Sequence, residues 1–413
     1  MNPGRRDNEP ADADSGHDGG RQNRSSAGHG PGRPGGSVRE VAALFLRLGT
    51  IAFGGPAAHT AMMRDELVCR RGWLTDERFV DLIGATNLIP GPNSTELAIH
   101  LGWDRARWRG LVAAGVCFIL PAALMVTALA RAYMTYGDTP AIEGLLYGIV
   151  PVVIAIIGYA LLGLLRTVVK SPWHGGLGGA ALAVYLAGVN ELLILAAGAV
   201  VVVAARLARR LVSLRRLRAL VALPLLLYAG QPTFPDPTGA QLTQLFATML
   251  KIGAVLYGSG YVLLAFLRGD FVDRLGWITE QQLIDAVSIG QVTPGPVFTT
   301  ATFVGYIVAG PLGAFLATVA IFLPSFVFVG LLTRLVDKLR STSWTSAALD
   351  GVNVSALALM AGVSFQLART AIVDPLTAGI AAATLLLLWK TGLNNAWYIA
   401  AGALIGLGHT LLT

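Results

Sequence analysis

The feature that most constrains this chain is an internal repeat built from apolar segments. Three motifs of the first half return 204 residues later: Phe53-Gly54 as Tyr257-Gly258, Gly72-Trp73-Leu74-Thr75 as Gly276-Trp277-Ile278-Thr279, and Pro90-Gly91-Pro92 as Pro294-Gly295-Pro296. Further along, Leu120-Pro121 and Arg166-Thr167 return at an offset of 203 residues. So regular an offset indicates that one unit was duplicated, and a duplicated membrane unit is typical of secondary transporters.

The composition puts both copies in a membrane. Of the 413 residues, 54% are hydrophobic and 13% are charged, whereas soluble domains carry about 25% charged residues. The mean hydropathy is +0.62. These values exclude an ordinary soluble enzyme or nucleic-acid binder and predict an all-α polytopic membrane protein.

The apolar runs predict six spans, one short central stretch at 219–229, and six more spans. A span needs about 20 residues to cross the hydrocarbon layer. The predicted spans are 40–63, 79–102, 108–131, 143–166, 174–189, 191–207, 242–266, 283–306, 308–334, 350–370, 374–390 and 395–412. The sequence leaves open whether the first two spans of each half cross or re-enter.

Charge placement predicts that the two halves are inverted relative to each other. Arg105, Arg107 and Arg109 precede the third span of the first half, whereas no charge precedes the third span of the second half, near Ala309-Gly310. Basic residues favour cytoplasmic loops, so corresponding loops face opposite sides. The prediction is a multi-pass inner-membrane protein with a cytoplasmic amino terminus.

Four regions follow from this pattern. Residues 1–37 are a polar tail expected to be disordered, 38–210 form the first transporter repeat, 211–240 a basic cytoplasmic linker with the short central segment, and 241–413 the second repeat. Six arginines between 206 and 218 account for most of the net charge of +7. The charge is therefore a topology signal and predicts no nucleic-acid partner.

The motif with the clearest chemistry is Pro-Gly-Pro, which lies inside the second span of each half. Proline removes a helix hydrogen bond and breaks the helix, so we expect discontinuous helices. The helix that restarts after each motif presents free amides and a positive dipole end. We predict that two such ends hold a tetrahedral oxyanion. The predicted contacts of this group are Pro90, Gly91, Pro92, Asn93, Ser94, Thr95, Pro294, Gly295, Pro296 and Thr299.

The first span of each half adds further candidates. Arg47 and Lys251 lie 204 residues apart within these spans and could attract a doubly charged anion. A cation in a membrane usually faces a cavity or a partner, although snorkelling to the interface is the alternative. The breaks Gly54-Gly55 and Gly258-Ser259 are included in the predicted binding set.

Two titratable residues are candidates for proton coupling. His59 follows the first break, and Glu96 follows the first Pro-Gly-Pro. Neither has a titratable counterpart, because Leu263 and Thr300 occupy the corresponding positions. Either could exchange a proton if its environment shifts its pKa, and a purely structural role is the alternative for both.

No cofactor is predicted. The sequence has no Walker-type loop and no Cys/His cluster with metal-ligand spacing, and its cysteines are Cys69 and Cys117. A gradient is therefore the expected energy source, although a separate ATPase subunit stays open. We expect a transporter and not an enzyme.

These residues resemble the chromate ion transporter family in its long two-domain form. The resemblance rests on Phe53-Gly54-Gly55-Pro56, on Gly72-Trp73-Leu74-Thr75 and on the run from Pro90 to Leu97, with looser second-half copies. It covers about residues 39 to 413. The resemblance implies export of chromate, driven by the membrane potential or a proton gradient, and chromate resistance. The expected partners are a chromate or sulfate-like oxyanion and the surrounding lipid bilayer.

Three alternatives stay open beside this reading. One is a transporter of sulfate or another oxyanion, and another is a passive anion channel, since broken helices also suit a pore. The third is a membrane enzyme such as a chromate reductase, which no redox motif in the sequence supports. A homodimer is an arrangement that the sequence neither requires nor excludes.

Overall fold

A computed structural model describes residues 37–53, 55–137, 139–211, 237–257, 260–339 and 343–412. This part of the chain is helical without a strand and contains fourteen α-helices. They are α1 (Val38–Ile51), α2 (Gly55–Arg64), α3 (Asp76–Thr86), α4 (Asn93–Tyr136), α5 (Pro140–Val168), α6 (Pro172–Leu186), α7 (Glu191–Leu211), α8 (Pro237–Val255), α9 (Leu263–Leu267), α10 (Glu280–Val292), α11 (Thr300–Leu339), α12 (Ser343–Ala371), α13 (Pro375–Lys390) and α14 (Asn395–Leu412). The predicted tail up to residue 36, Gly54, Gly258, Ser259 and the central stretch 219–229 lie outside the described residues.

The helices form two copies of one unit, so the predicted all-α fold with two repeats is confirmed. In chain order, α1–α7 correspond to α8–α14. Even the irregular turns are repeated, since the π-helical turns Asp65–Arg70 and Arg268–Arg274 occupy corresponding places.

The first two predicted spans of the first half fold as helical hairpins and not as single continuous helices. α1 runs inward and α2 with its π-helical turn runs back, because Arg71 ends 3.7 Å from Glu40 at the start of α1. The second hairpin joins α3 to residues 93–105, and its open end is fixed by Arg78 and Asp104, 2.9 Å apart. The tips of the two hairpins, at 52–53 and 87–92, therefore point the same way into the protein.

A second reversal divides α4 into the arm of the second hairpin and a longer apolar part. At Ala106 and Arg107 the backbone leaves helical geometry, with φ 54° and ψ −144° at Arg107. Gly102 and Gly110 meet across this turn, where a Cβ on Gly102 would lie 2.3 Å from the Gly110 carbonyl oxygen. The same turn recurs in α11 at Gly310, with φ 61° and ψ −151°.

The repeated Gly-Trp-(Leu/Ile)-Thr motif links the two hairpins in each half. Gly72 and Gly276 adopt positive φ angles of 57° and 61° after the π-helical turns. Thr75 and Thr279 then cap α3 and α10 by accepting hydrogen bonds from backbone amides. Such caps satisfy amides that a helix start leaves unpaired. The motif is thus a chain reversal followed by a helix start.

Five helices in the described part are long and apolar enough to cross a membrane. They are Asn93–Tyr136, Pro140–Val168, Glu191–Ala208, Val297–Leu331 and Ala348–Ala371. We call the end of the molecule that carries Glu40 and Asp104 the amino-terminal face, and the other end the opposite face.

The two repeats enter from different faces. α4 starts its crossing at the amino-terminal face and ends near Tyr133, whose hydroxyl donates to Asp285 of α10 at 2.8 Å. Thr370, at the end of α12, donates to Glu280 at the start of α10 at 3.1 Å. The second repeat's hairpins therefore open on the opposite face, which makes the repeats inverted.

The repeats also exchange helices. α6 and α7 pack on α12 of the second repeat, and α13 and α14 pack on α5 of the first. Glycines allow the close crossings, because a Cβ on Gly148 would lie 1.9 Å from the Gly402 carbonyl oxygen. The corresponding pair is Gly351 and Gly198, with a distance of 2.2 Å.

Candidate functional site

The hairpin tips of the two repeats meet through a reciprocal pair of backbone hydrogen bonds. Gly91 donates its N–H to the Leu256 carbonyl at 2.8 Å, and Gly295 donates to the Ala52 carbonyl at 2.8 Å. Donors and acceptors are each related by the 204-residue offset. Both donors are the glycines between the paired prolines, and both have positive φ angles, 139° and 100°. The four helix breaks therefore converge where the repeats face each other.

His59 joins the two tips of the first repeat. Its Nε2 lies 3.0 Å from the Ala52 carbonyl oxygen and its Nδ1 lies 3.2 Å from the Ser94 hydroxyl. A carbonyl only accepts, so Nε2 carries the proton and Nδ1 accepts from Ser94. In the second repeat the corresponding residues are the apolar Leu263 and Phe298. This contact is polar in one repeat only.

Glu96 lies one helical turn beyond the first Pro-Gly-Pro and is fully buried. The Ser325 hydroxyl donates to its Oε1 at 3.4 Å, and its Oε2 has no hydrogen-bond partner among the described residues. An unpaired buried carboxylate is costly. Thr300, at the corresponding position, satisfies its hydroxyl on the Val297 carbonyl at 2.8 Å.

The structure does not bring the two predicted cations to the tips. The Arg47 guanidinium lies 3.9 Å from a Glu66 carboxylate oxygen and the Arg47 side chain is 60% exposed. Lys251 Nζ lies 2.6 Å from Asp270. Glu66 and Asp270 are themselves related by 204 residues, and each also pairs with at least one arginine of its neighbouring π-helical turn. Both predicted cations are therefore held in ion-pair clusters away from the tips.

The remaining predicted residues gather around the tips. Ser94, Thr95 and Thr299 are buried, and Asn93 donates its amide to Asn87 at 3.0 Å. Pro92 and Pro296 precede the restarted helices without a side-chain cap. Pro90 and Pro294 begin the same turns, and Gly55 has a positive φ of 81°; Gly54, Gly258 and Ser259 lie outside the described residues.

A cavity of about 310 Å³ opens beside the tip of the first repeat. Its polar lining consists of Asn87, Asn93, Thr167, Tyr257 and Asn353. The Tyr257 hydroxyl donates to the Leu88 carbonyl at 3.0 Å and so holds the 87–92 loop. Sequence reasoning named only Asn93 of this set as a candidate.

The signals for the missed residues were weak. Asn87 lies just before the Pro-Gly-Pro, and Tyr257 belongs to the repeated aromatic-glycine pair, but neither spacing indicates a shared cavity. Asn353 sits near the start of an apolar span where the first repeat has Val150. That difference between the copies was the one sequence signal that could have found it.

Comparisons with known proteins agree on one family. The family described as Chromate transporter matches residues 39–203 and again residues 243–407. The chain is 36% identical to a chromate transport protein of Cupriavidus metallidurans, over 90% of this chain and 93% of that protein. It is 32% identical to a probable chromate transport protein of Synechococcus elongatus, over 86% and 91%, and 32% identical to a chromate transport protein of Pseudomonas aeruginosa, over 90% and 92%. No solved structure matches the chain.

Proposed function

We propose a function from one premise: the chain belongs to the chromate transporter family. The family and the long apolar helices make it a multi-pass membrane transporter whose relatives act on chromate. The finer proposal is that it exports chromate from the cytoplasm across the inner membrane by secondary active transport. Export of this kind lowers cytoplasmic chromate and confers resistance.

The observation that carries this proposal is the reciprocal pairing of the hairpin tips. Gly91 and Gly295 each reach a break in the other repeat, so four broken helices end at one level between inverted units. In membrane transporters, non-helical backbone at this depth is stable where it borders protein or a water-filled cavity. Inverted repeats that move against each other around such a site give alternating access.

The distribution of basic residues supports a cytoplasmic amino-terminal face. Lysines and arginines favour the cytoplasmic side. On the amino-terminal face the described part carries Arg39, Arg64, Arg70, Arg71, Arg78, Arg105, Arg107, Arg109, Arg166, Lys170, Arg206 and Lys390, and on the opposite face it carries Arg131, Arg268, Arg274 and Arg369. With this orientation the start of α1 is cytoplasmic and the end of α14 is outside.

The proposed substrate contacts are the two Pro-Gly-Pro segments and the polar groups that follow them. Pro90 to Thr95 supply one side, and Pro294 to Pro296 with Thr299 supply the other. The first-span breaks, Gly54-Gly55 and Gly258-Ser259, complete the proposed set. We keep Arg47 and Lys251 as electrostatic contributors only, because they contact Glu66 and Asp270 and do not reach the tips.

The test is chromate uptake into everted membrane vesicles, where export appears as uptake. We expect saturable uptake that an uncoupler abolishes and sulfate competes with. Asn93→Ala should remove it, whereas Val297→Ala, the matched change in the second repeat, should keep most of it. Non-saturable flux without uncoupler sensitivity would favour a passive channel, and sulfate uptake without chromate uptake would reassign the cargo.

For coupling, we propose Glu96 as the proton-carrying residue, with His59 as the second candidate. Glu96 is buried beside the tips with one carboxylate oxygen unpartnered among the described residues. Glu96→Gln fixes this group in a neutral form, so chromate should still move down its own gradient while an imposed pH gradient no longer drives it. Thr300→Val is the matched control. A full pH-gradient response in Glu96→Gln would contradict the assignment.

A further inference from the structure

The cavity beside the first repeat opens toward the amino-terminal face. Thr167 lies near the end of α5 and Asn353 near the start of α12, and both helix ends belong to that face. Lys170 and Asp350 join them there at 3.1 Å. The inner end of the cavity is formed by Asn87 and Asn93 at the hairpin tip. The cavity therefore leads from one face to the level where the tips meet.

The corresponding place in the other copy of the unit is less polar. The residue that corresponds to the half-buried Asn353 is Val150 of α5, which is 4% exposed and belongs to the main hydrophobic core. Val297 replaces Asn93 and is also buried. Gln291 takes the place of Asn87, so two of the three asparagines have buried apolar counterparts.

The chemistry of the cavity suits an oxyanion bound by neutral donors. Its described lining has no carboxylate and no cation, but it has three asparagine amides. Asn93 donates to the Asn87 carbonyl, which leaves the Asn87 amino group able to donate elsewhere. The first turn of α4 begins at Asn93 without a side-chain cap, so its positive dipole end adds to the same surface.

Charge at the mouth of the cavity favours anion entry. Lys170 and Arg206 both pair with Asp350, at 3.1 and 3.0 Å, so two cations share one carboxylate. Asp350 precedes Asn353 by one helical turn, and Lys170 follows Thr167 by the same distance along the chain. An excess positive charge at the entrance raises the local anion concentration. The asparagine amides deeper in the cavity are neutral, so a bound dianion can dissociate again.

We propose that the protein has a single oxyanion site, formed by Asn87, Asn93 and Asn353 in this cavity. The inference rests on the proposed function and deepens it, because it narrows the proposed contacts to the first Pro-Gly-Pro segment and the facing helix α12 of the second repeat. The ligand class is a tetrahedral dianion such as chromate or sulfate. The counterpart, where Val150 and Val297 take the places of Asn353 and Asn93, does not bind it.

The test is equilibrium binding of labelled chromate and labelled sulfate to the purified full chain in detergent. Asn353→Val introduces the residue that the first repeat has at this position, and Asn93→Val introduces that of the second. We expect each to weaken binding at least tenfold, with a wild-type stoichiometry of one per chain. Val297→Thr, the matched polar change in the counterpart, should bind like the wild type. Melting temperatures and gel filtration confirm that each variant is folded.

Two results would overturn the site: both asparagine variants binding like the wild type, or two equivalent ions bound per chain. If sulfate binds in place of chromate and the asparagine variants lose sulfate binding, the site is supported and chromate is refuted as the substrate. If chromate transport is intact while the asparagine variants bind normally, the proposed function is supported and the site is refuted. If the wild type binds and transports neither ion, both are refuted.

Discussion

Gly91 is the position where one added methyl group tests the description of the hairpin tips. A Cβ on Gly91 would lie 2.2 Å from Glu96 Oε1 and 2.6 Å from Ser325 Oγ. Both of these side chains are fully buried, so neither has open space into which it can move. The backbone adds a second penalty, because its φ of 139° is one that residues other than glycine rarely adopt.

The two penalties set the expected size of the effect. A sparsely populated backbone conformation costs about 1–3 kcal/mol, and forcing extra volume into a packed interior costs about 1–3 kcal/mol. Gly91→Ala should therefore destabilise the protein by about 2–6 kcal/mol. At roughly 2 °C per kcal/mol for a large domain, the melting temperature falls by about 4–12 °C.

Gly72 supplies the matched control. It also has a positive φ, 57°, but a Cβ there would meet nothing within 4 Å. Gly72→Ala carries the backbone penalty alone, about 1 kcal/mol and roughly 2 °C. Gly295→Ala should resemble Gly91→Ala, since its Cβ would lie 2.7 Å from the Ala122 Cβ. Thermal unfolding in one detergent compares all three. Equal melting of the Gly91 and Gly72 variants would refute the packing of the tips.

Three further predictions concern other parts of the fold and use the same melting measurement. Arg107→Gly should stabilise by about 1 kcal/mol, because it relieves the positive φ of 54°; a lower melting temperature would contradict this. Gly148→Ala should destabilise, since its Cβ would lie 1.9 Å from a backbone oxygen, whereas Gly158→Ala on the same helix has open space and should be neutral or slightly stabilising; similar losses would argue against the close crossing. Tyr133→Phe removes a hydrogen bond to the buried Asp285 and should cost about 1–3 kcal/mol; an unchanged melting temperature would show that this bond contributes little.

The duplication and its inversion were readable from sequence because both leave local marks. A fixed offset relates the Pro-Gly-Pro and Gly-Trp motifs, and the basic loops change sides between the copies. The helix breaks were readable for the same reason, since proline acts on its own turn of backbone. Pro92 and Pro296 precede restarted helices in the structure.

The hairpin course of the first two predicted spans was not readable. A run of about 20 apolar residues has the length to cross a membrane and the same composition if it folds back. What decides is a contact such as that between Arg78 and Asp104, which are 26 residues apart. The partner of Arg47 was missed for a similar reason, because Glu66 follows only after the chain has reversed.

The cavity required the whole fold before it could be recognised. Asn87, Tyr257 and Asn353 come from α3's end, from the break after α8 and from α12. The inversion of the repeats and the exchange of helices bring these residues together. Neither arrangement can be recognised from the spacing of residues along the chain. A position-by-position comparison of the two copies, as between Asn353 and Val150, is the sequence comparison that can indicate such a cavity.

Helix exchange between the repeats has a consequence for biosynthesis. α5 emerges from the ribosome long before α14, yet its glycine face at Gly148 is complete only when Gly402 has been made. The same holds for α7, because its Gly198 packs on Gly351, which is synthesised later. The first half must therefore stay in the bilayer with unfilled grooves until the second half is synthesised. A chain stopped between the repeats would expose these grooves to lipid or to another polypeptide, as a substrate for quality-control proteolysis.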